Sequence, residues 1–499
     1  MPLHVLLDLE SIFVYLSSRC SFFVLSLTIA AAVALSCNHI LKYDLKISLK
    51  SHRHINTTSD SDTDIQCFEH DQHSLEALGS VLEPRRIHIN TLLHERAIPN
   101  KRLVRALKLT NTFVSASPEV HHNFVRRALG MLHRAKGRGW AWVAQVAKGA
   151  VGPGGLDNQG SEKERIIEFD SLIQNTTLLV VLVVLLGQGD ESFFEASASD
   201  ASPSSCFMTS DVECVARNIT LLWGLSKLPD AIPSHLLEEL NGALKRLMEG
   251  RQGQWNGEEA SDEDGDGDSA TFENPLDFVV PTWETLWRVV ATTVAYAYAG
   301  GDDESAIVKE ALMEFAKDPT EARFRRASNV KATSSSQSLL NPHIVDMRCI
   351  VAECMRLHPP SKHIGRSKAR PWWAFILRIL PASWIQHSWS TSYLTRTKAN
   401  ADVGSLLRCQ KIWGMDAASF APRRHLPVQA TKEQKDAMGW VFGYGKLRCV
   451  AATWAPMAAG VVAGAVVERM ESEGMEVVKG RGGIGGRVGW EGWKVVWKR

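Results

Sequence analysis

The residues with the most capacity for chemistry lie near the end of the chain, in Phe442-Gly443-Tyr444-Gly445-Lys446-Leu447-Arg448-Cys449-Val450-Ala451. Two glycines, six and four residues before a cysteine, make a tight turn whose backbone can approach a flat ligand closely. The apolar, small-residue run 450–467 follows and reads as a helix. A cysteine just ahead of a helix N-terminus is readily kept as a thiolate, because the helix dipole and free backbone N–H groups favour negative charge. A thiolate so placed can ligate haem iron and push electron density toward it. A buried structural cysteine behind a glycine turn fits the same residues equally well.

Upstream, Glu353-Cys354-Met355-Arg356 sets an acid and a base three apart on a helix, where they are neighbours and can pair. Pro359 and Pro360 then stop that helix. Between this pair and the cysteine stands Phe420-Ala421-Pro422-Arg423-Arg424, preceded by Trp413, Gly414 and Asp416. Earlier still, Pro281-Thr282-Trp283-Glu284-Thr285 places a carboxylate beside a hydroxyl, a pair suited to moving protons. An ordinary helix beginning Pro-x-x-Glu is the competing reading.

Taken in order, these segments resemble the cytochrome P450 family of haem-thiolate monooxygenases. The cysteine loop follows the family's F-G-x-G-x-[basic]-x-C-x-[G/A] at Phe442, Gly443, Gly445, Cys449 and Ala451. The basic position is Leu447, with Arg448 beside it. Glu353 and Arg356 match E-x-x-R, and Phe420, Pro422 and Arg424 match F-x-P-x-R. The resemblance implies that Cys449 ligates the iron of haem b. It implies that Phe442, Gly443, Gly445 and Arg448 shape its loop, and that Arg424 joins Glu353 and Arg356 in a buried network. It also implies that Glu284 and Thr285 serve proton delivery during O2 activation. Pro281-Thr282 replaces the family's small pair in that helix. His122 and Arg126 keep the spacing of the family's W-x-x-x-R helix without its tryptophan. Arg126, with His121 and Arg127 nearby, is therefore the candidate partner for a haem propionate; a solvated basic face is the other reading.

The elements that must position these residues are mainly helical. Leu236, Leu237, Leu240, Leu244 and Leu247 share one helical face behind Ser234, and few stretches alternate with period two. The apolar run Leu178 to Leu186 is too short to span a bilayer and reads as a core helix or strand. Hydrophobic residues form 45% of 499, enough for a sizeable core, which excludes wholesale disorder. Lys+Arg number 56 against 55 Asp+Glu, which argues against a nucleic-acid binder. Nine cysteines without any CxxC pair exclude a disulfide scaffold and a zinc ribbon. Residues 256–269 carry seven acids. They fit a calcium-loop pattern on paper but lack its apolar centre and its entering helix, and read as a solvated acidic loop within 251–270.

The N-terminus holds 18 residues without a charge, from Cys20 to Cys37. A membrane anchor, a cleaved signal peptide and a core helix all suit that length. Lys42, Lys46, Lys50 and Arg53 behind it favour a cytosolic body. The family resemblance selects the anchor. The expected organisation is a tail over 1–19, a transmembrane helix over 20–37, a polar linker over 38–75 and a haem-thiolate domain over 76–499. That domain is mainly α with a small β region, on the cytosolic face of the endoplasmic reticulum membrane. The aromatic stretch 371–396 has no counterpart in this scheme. The resemblance further implies O2 and a small apolar organic molecule as substrates, with electrons from NADPH through a separate flavoprotein reductase. A haem-thiolate isomerase, dehydratase or peroxide-using enzyme, and a non-catalytic membrane protein keeping the fold's outline, remain as alternatives.

Overall fold

The computed structural model describes residues 75, 79, 82, 83, 87–151, 166–187, 203–230, 232–249, 274–299, 302–325, 345–367 and 398–497. By its internal contacts the chain divides into Met1–Cys67 and Phe68–Arg499, a boundary inside the expected linker, and all the described residues belong to the second unit. The expected anchor at 20–37, the acidic loop and the aromatic stretch 371–396 lie outside them. Among the described residues, no helix is long and apolar enough to cross a membrane.

Eleven of the described helices carry the architecture: α1 (Ile89–Leu107), α2 (Pro118–Arg138), α3 (Trp140–Ala150), α4 (Phe169–Val184), α5 (Pro203–Leu225), α6 (Ser234–Glu249), α7 (Leu276–Ala299), α8 (Asp302–Lys317), α9 (Met347–Leu357), α10 (Lys432–Gly439) and α11 (Ala455–Ser472). The run from Leu178 to Leu186 forms the buried end of α4, as far as Val184, and the turn that follows. Strand β1 (Ile166–Glu168) pairs antiparallel with β5 (Lys494–Trp497), which pairs on its other edge with β4 (Met475–Val478). Strands β2 (His363–Ser367) and β3 (Lys398–Asp402) form a separate antiparallel pair, with Arg366 opposite Ala399. The mainly helical expectation with minor strands holds.

Helices α7 and α11 form the centre. Helix α7 packs against α4, α8, α9 and α11. Helix α11 is buried continuously from Met457 to Val467. Its small residues let neighbours come close: a Cβ at Gly460 would sit 3.2 Å from Met347 Cγ, and one at Gly464 would sit 3.2 Å from the Leu312 carbonyl. This helix begins at Ala455, with Pro456 in its first turn, rather than at Val450. Turns linked by Ala452 N–H to Cys449 O and Ala455 N–H to Ala451 O fill the interval. The proline's missing N–H costs nothing at a helix start, which is why the regular helix begins there.

Candidate active site

Cys449 closes the glycine turn. Its N–H donates to the Phe442 carbonyl at 2.8 Å, and Gly443 and Gly445 hold φ of 85° and 62°. Both values favour glycine, and a Cβ at Gly445 would also overlap the Glu83 carboxylate, which accepts from Lys446 N–H at 2.9 Å. Phe442 is half-buried against the core, while Arg448 and Cys449 are exposed. Burial pushes the Cys449 thiol up, opposed by the Ala451 N–H and the Arg448 charge.

Helix α7 reaches the surface at one residue. Over 276–298 every residue of α7 is buried or half-buried except Thr285, which is exposed; Pro281 and Thr282, on the same helical face, are half-buried. Pro281 sits inside the helix rather than at its start. It cannot bond the Asp277 carbonyl, and Asn111 Nδ2 donates to that oxygen instead, at 2.8 Å. The Asp277 carboxylate accepts from Thr110 N–H at 2.8 Å and Thr110 Oγ1 at 2.5 Å, which docks the segment after α1 onto the start of α7. Thr285 Oγ1 lies 3.3 Å from the carbonyls of Pro281 and Thr282, to which it donates, leaving its lone pairs to accept. Glu284 faces away from solvent at 2% exposure. One of its oxygens pairs with Arg487 Nε and lies 3.6 Å from Arg288 Nε; the other has no hydrogen-bond partner.

Glu353 and Arg356 head a buried network. Arg356 grips Glu353 through two parallel bonds of 2.7 Å, both side chains having no exposed surface. Arg424 Nε lies 3.2 Å from Glu353 as an ion pair without hydrogen-bond alignment, and its Nη2 reaches Asp416 at 2.9 Å. His425 Nε2 completes the set at 2.8 Å from Glu353, a member the sequence reading passed over although it follows Arg424 directly. Burial raises the Glu353 pKa, but the bonds and charges of Arg356 and His425 outweigh it and hold the carboxyl down at about 2. A depressed carboxyl stabilises the fold fully above its ordinary value of 4.5 and loses that contribution as pH falls through about 2. Urea melts at stepped pH should therefore show a loss of about 3 kcal/mol across that window. His425→Leu removes a donor and should move the loss to higher pH; an unmoved acid limb would separate Glu353 from acid stability.

A second basic group lies near α2. Arg96 Nη2 donates to the Thr112 carbonyl at 2.6 Å and to its hydroxyl, and His121 Nδ1 lies 2.8 Å from the same hydroxyl. Arg366, on β2, is buried beside it. Burial and the Arg366 charge bring Arg96 down to about 10, while burial lowers Arg366 against the opposing charges of Glu95 and Glu83. The Nε of both guanidiniums is buried without a hydrogen-bond partner. Arg126 stands apart in chemistry: it is exposed and donates to Asn123 of its own helix at 3.3 Å. His121 and Lys446 line one surface depression with Ile87, His88, Ile89 and His122. Nothing short-range in the sequence marks Arg96 or Arg366, because strand pairing and long-range packing alone bring them together.

No family model matches the sequence, and no curated relative does. Among solved structures the chain is similar to the crystal structure of cytochrome P450DA heme domain, at 13% identity and a TM-score of 0.50, over 85% of this chain and 86% of that one. It is also similar to the crystal structure of a cytochrome P450 (CYP102L1), at 13% identity and a TM-score of 0.45, over 82% and 90%. At such identity the likeness speaks for architecture: this chain has the cytochrome P450 fold.

Proposed function

We propose that the protein is a haem-thiolate monooxygenase of the cytochrome P450 family, acting on a small, largely apolar organic molecule. The observation that carries this reading is the presence, within this fold, of an exposed cysteine on a glycine turn and of a helix α7 whose one exposed residue over 276–298 is Thr285. The residues present fit haem b. Cys449 would ligate the iron, and Phe442, Gly443, Gly445 and Arg448 would shape the wall beside it. The orphaned guanidinium nitrogens of Arg96 and Arg366, with His121, suit the two haem carboxylates better than Arg126 does. Bound haem would supply O2 activation, with one oxygen atom entering the substrate and the other leaving as water.

Thr285 orients a proton donor through its free lone pairs, and Glu284 holds a proton path behind it. Electrons come from NADPH through a separate flavoprotein reductase. With reductase present, Thr285→Ala should keep haem but form about tenfold less product per NADPH, with hydrogen peroxide making up the difference. Unchanged coupling would remove the proton-delivery role.

Residues 20–37 anchor the chain in the endoplasmic reticulum membrane, with the body on the cytosolic side; their uncharged length and the basic residues after them support this. A chain starting near residue 40 should leave the membrane fraction on sedimentation and retain haem. Loss of haem on that truncation would make the segment part of the core instead.

A further inference from the structure

The loop that carries Cys449 is gripped from outside by residues far earlier in the chain. Glu83, 363 residues before Lys446, accepts that residue's backbone N–H at 2.9 Å. The Lys446 ammonium does not neutralise Glu83, because it donates to the Ile87 carbonyl at 2.8 Å. Leu82 is buried in the core, and the Glu83 N–H donates to the Gly79 carbonyl at 2.8 Å. Together these fix the point from which the half-buried Glu83 side chain reaches the loop.

The fit is reciprocal. A Cβ at Gly445 would overlap the Glu83 carboxylate, and a Cβ at Gly79 would overlap the Tyr444 hydroxyl. Tyr444 is stacked on Trp440, with 4.5 Å between ring centres, so it has little room to turn away. Each side lacks a side chain where the other presents one. The loop itself is closed by two hydrogen bonds. The Cys449 N–H donates to the Phe442 carbonyl at 2.8 Å, and the Arg448 N–H to the Gly445 carbonyl at 3.2 Å. Lys446 lies inside both rings, in the short 3-10 turn Gly445–Leu447, so a shift of its amide carries Arg448 and Cys449 with it. The Glu83 charge also acts on the buried guanidinium of Arg366, after that of Glu95. One carboxylate therefore holds the cysteine loop and acts on a guanidinium suited to a haem carboxylate.

We infer that Glu83 is a positioning residue for the iron-ligand loop, which it holds by the Lys446 amide while placing a fixed negative charge against the loop. This rests on the haem-thiolate reading for the group that Cys449 binds, but not for the contact itself. A backbone N–H bonded to a carboxylate makes a charge-assisted bond, roughly twice as strong as a neutral one. Such a bond restrains the loop whose geometry sets the sulfur, as partners behind a metal ligand generally do. A negative charge at that loop also disfavours adding an electron to the group that Cys449 ligates.

The test uses the purified full-length protein and two variants that separate bond from charge. Glu83→Gln keeps an oxygen acceptor for the Lys446 N–H and removes the charge; Glu83→Ala removes both. Hydrogen exchange of the amides over 443–449, read by mass spectrometry, reports the contact without reference to haem. It should quicken about tenfold or more in Glu83→Ala and stay near the wild-type rate in Glu83→Gln. In haem-loaded protein, the ferric–ferrous midpoint potential should rise in Glu83→Gln with the thiolate-type carbon monoxide band retained. A merely structural residue would not move the potential in that way. Glu83→Ala should convert part of the band to the thiol type and pass haem to apomyoglobin about tenfold faster. If Glu83→Ala does not fold, the potential of Glu83→Gln decides. Exchange unmoved by Glu83→Ala, or a potential that does not rise in Glu83→Gln, would overturn the inference. Wild-type protein without a thiolate-type band, whose loop exchange still quickens in Glu83→Ala, sinks the monooxygenase reading and spares the contact. The band with unmoved exchange does the reverse.

Discussion

Cys449→Ser should abolish the thiolate-type carbon monoxide band of the reduced protein and bring turnover to background, while the polypeptide stays folded. Serine's hydroxyl is not ionised near neutral pH and is a harder ligand, so the anionic electron donor is lost. The structural role of Cys449 is carried by its backbone, through the bond from its N–H to the Phe442 carbonyl, and its side chain is exposed. A substitution of that kind changes haem-free stability by about 0.5 kcal/mol or less. Three other described cysteines give the contrast. Cys349, Cys354 and Cys409 are buried; burial drives the Cys349 thiol far up and the Cys354 thiol to about 12. None of the three is exposed to a ligand, so Cys349→Ser should leave the band in place. Survival of the band in Cys449→Ser would place the thiolate elsewhere.

What was legible beforehand follows from range. Glu353 and Arg356 are three residues apart on one helix, and the glycine turn of Cys449 is local, so residue type and spacing were enough. Pro281 could be read as a helix start or a helix break. The deciding fact is Asn111, 166 residues away, whose amide takes up the orphaned Asp277 carbonyl. Nothing local announces such a compensation. Arg96, Arg366 and Arg487 were missed for the same reason, since each is one basic residue among 56 until the fold brings it beside another. Arg126 keeps the family's spacing from His122, and spacing on a helix fixes a face without saying what that face meets. The start of α11 is not legible in its composition, because small apolar residues suit turn and helix alike and Pro456 alone marks the boundary.

Arg356→Ala should leave little folded, haem-loaded protein. Arg356 does more than neutralise Glu353. Its Nη1 donates to the carbonyls of Leu407 at 2.9 Å and Ala417 at 2.5 Å, and its Nη2 to that of Ser419 at 3.1 Å. One side chain thus ties α9 to the segment that leads into the cysteine loop. Glu353 in turn accepts from the Ala421 N–H at 2.8 Å, so the pair organises both flanks of that segment. Removing the guanidinium leaves a carboxylate with no exposed surface short of its main partner, and strips three carbonyls of a donor. Breaking a buried pair costs about 3–5 kcal/mol, against a net stability of about 5–15 kcal/mol for a typical protein. Lysine does not rescue, because one ammonium cannot span the two carboxylate oxygens and the carbonyls together. Arg424→Ala should cost less, about 1–2 kcal/mol, since Arg356 and His425 still hold Glu353 and Asp416 is exposed. The paired change Glu353→Leu/Arg356→Leu discriminates further. If charge pairing were the whole role, this apolar replacement would recover stability. The backbone carbonyls and the Ala421 N–H remain unsatisfied, so recovery should fail. Soluble yield, haem-to-protein ratio and denaturant midpoint measure all four variants, and normal haem loading of Arg356→Ala at normal yield would refute the network's structural role.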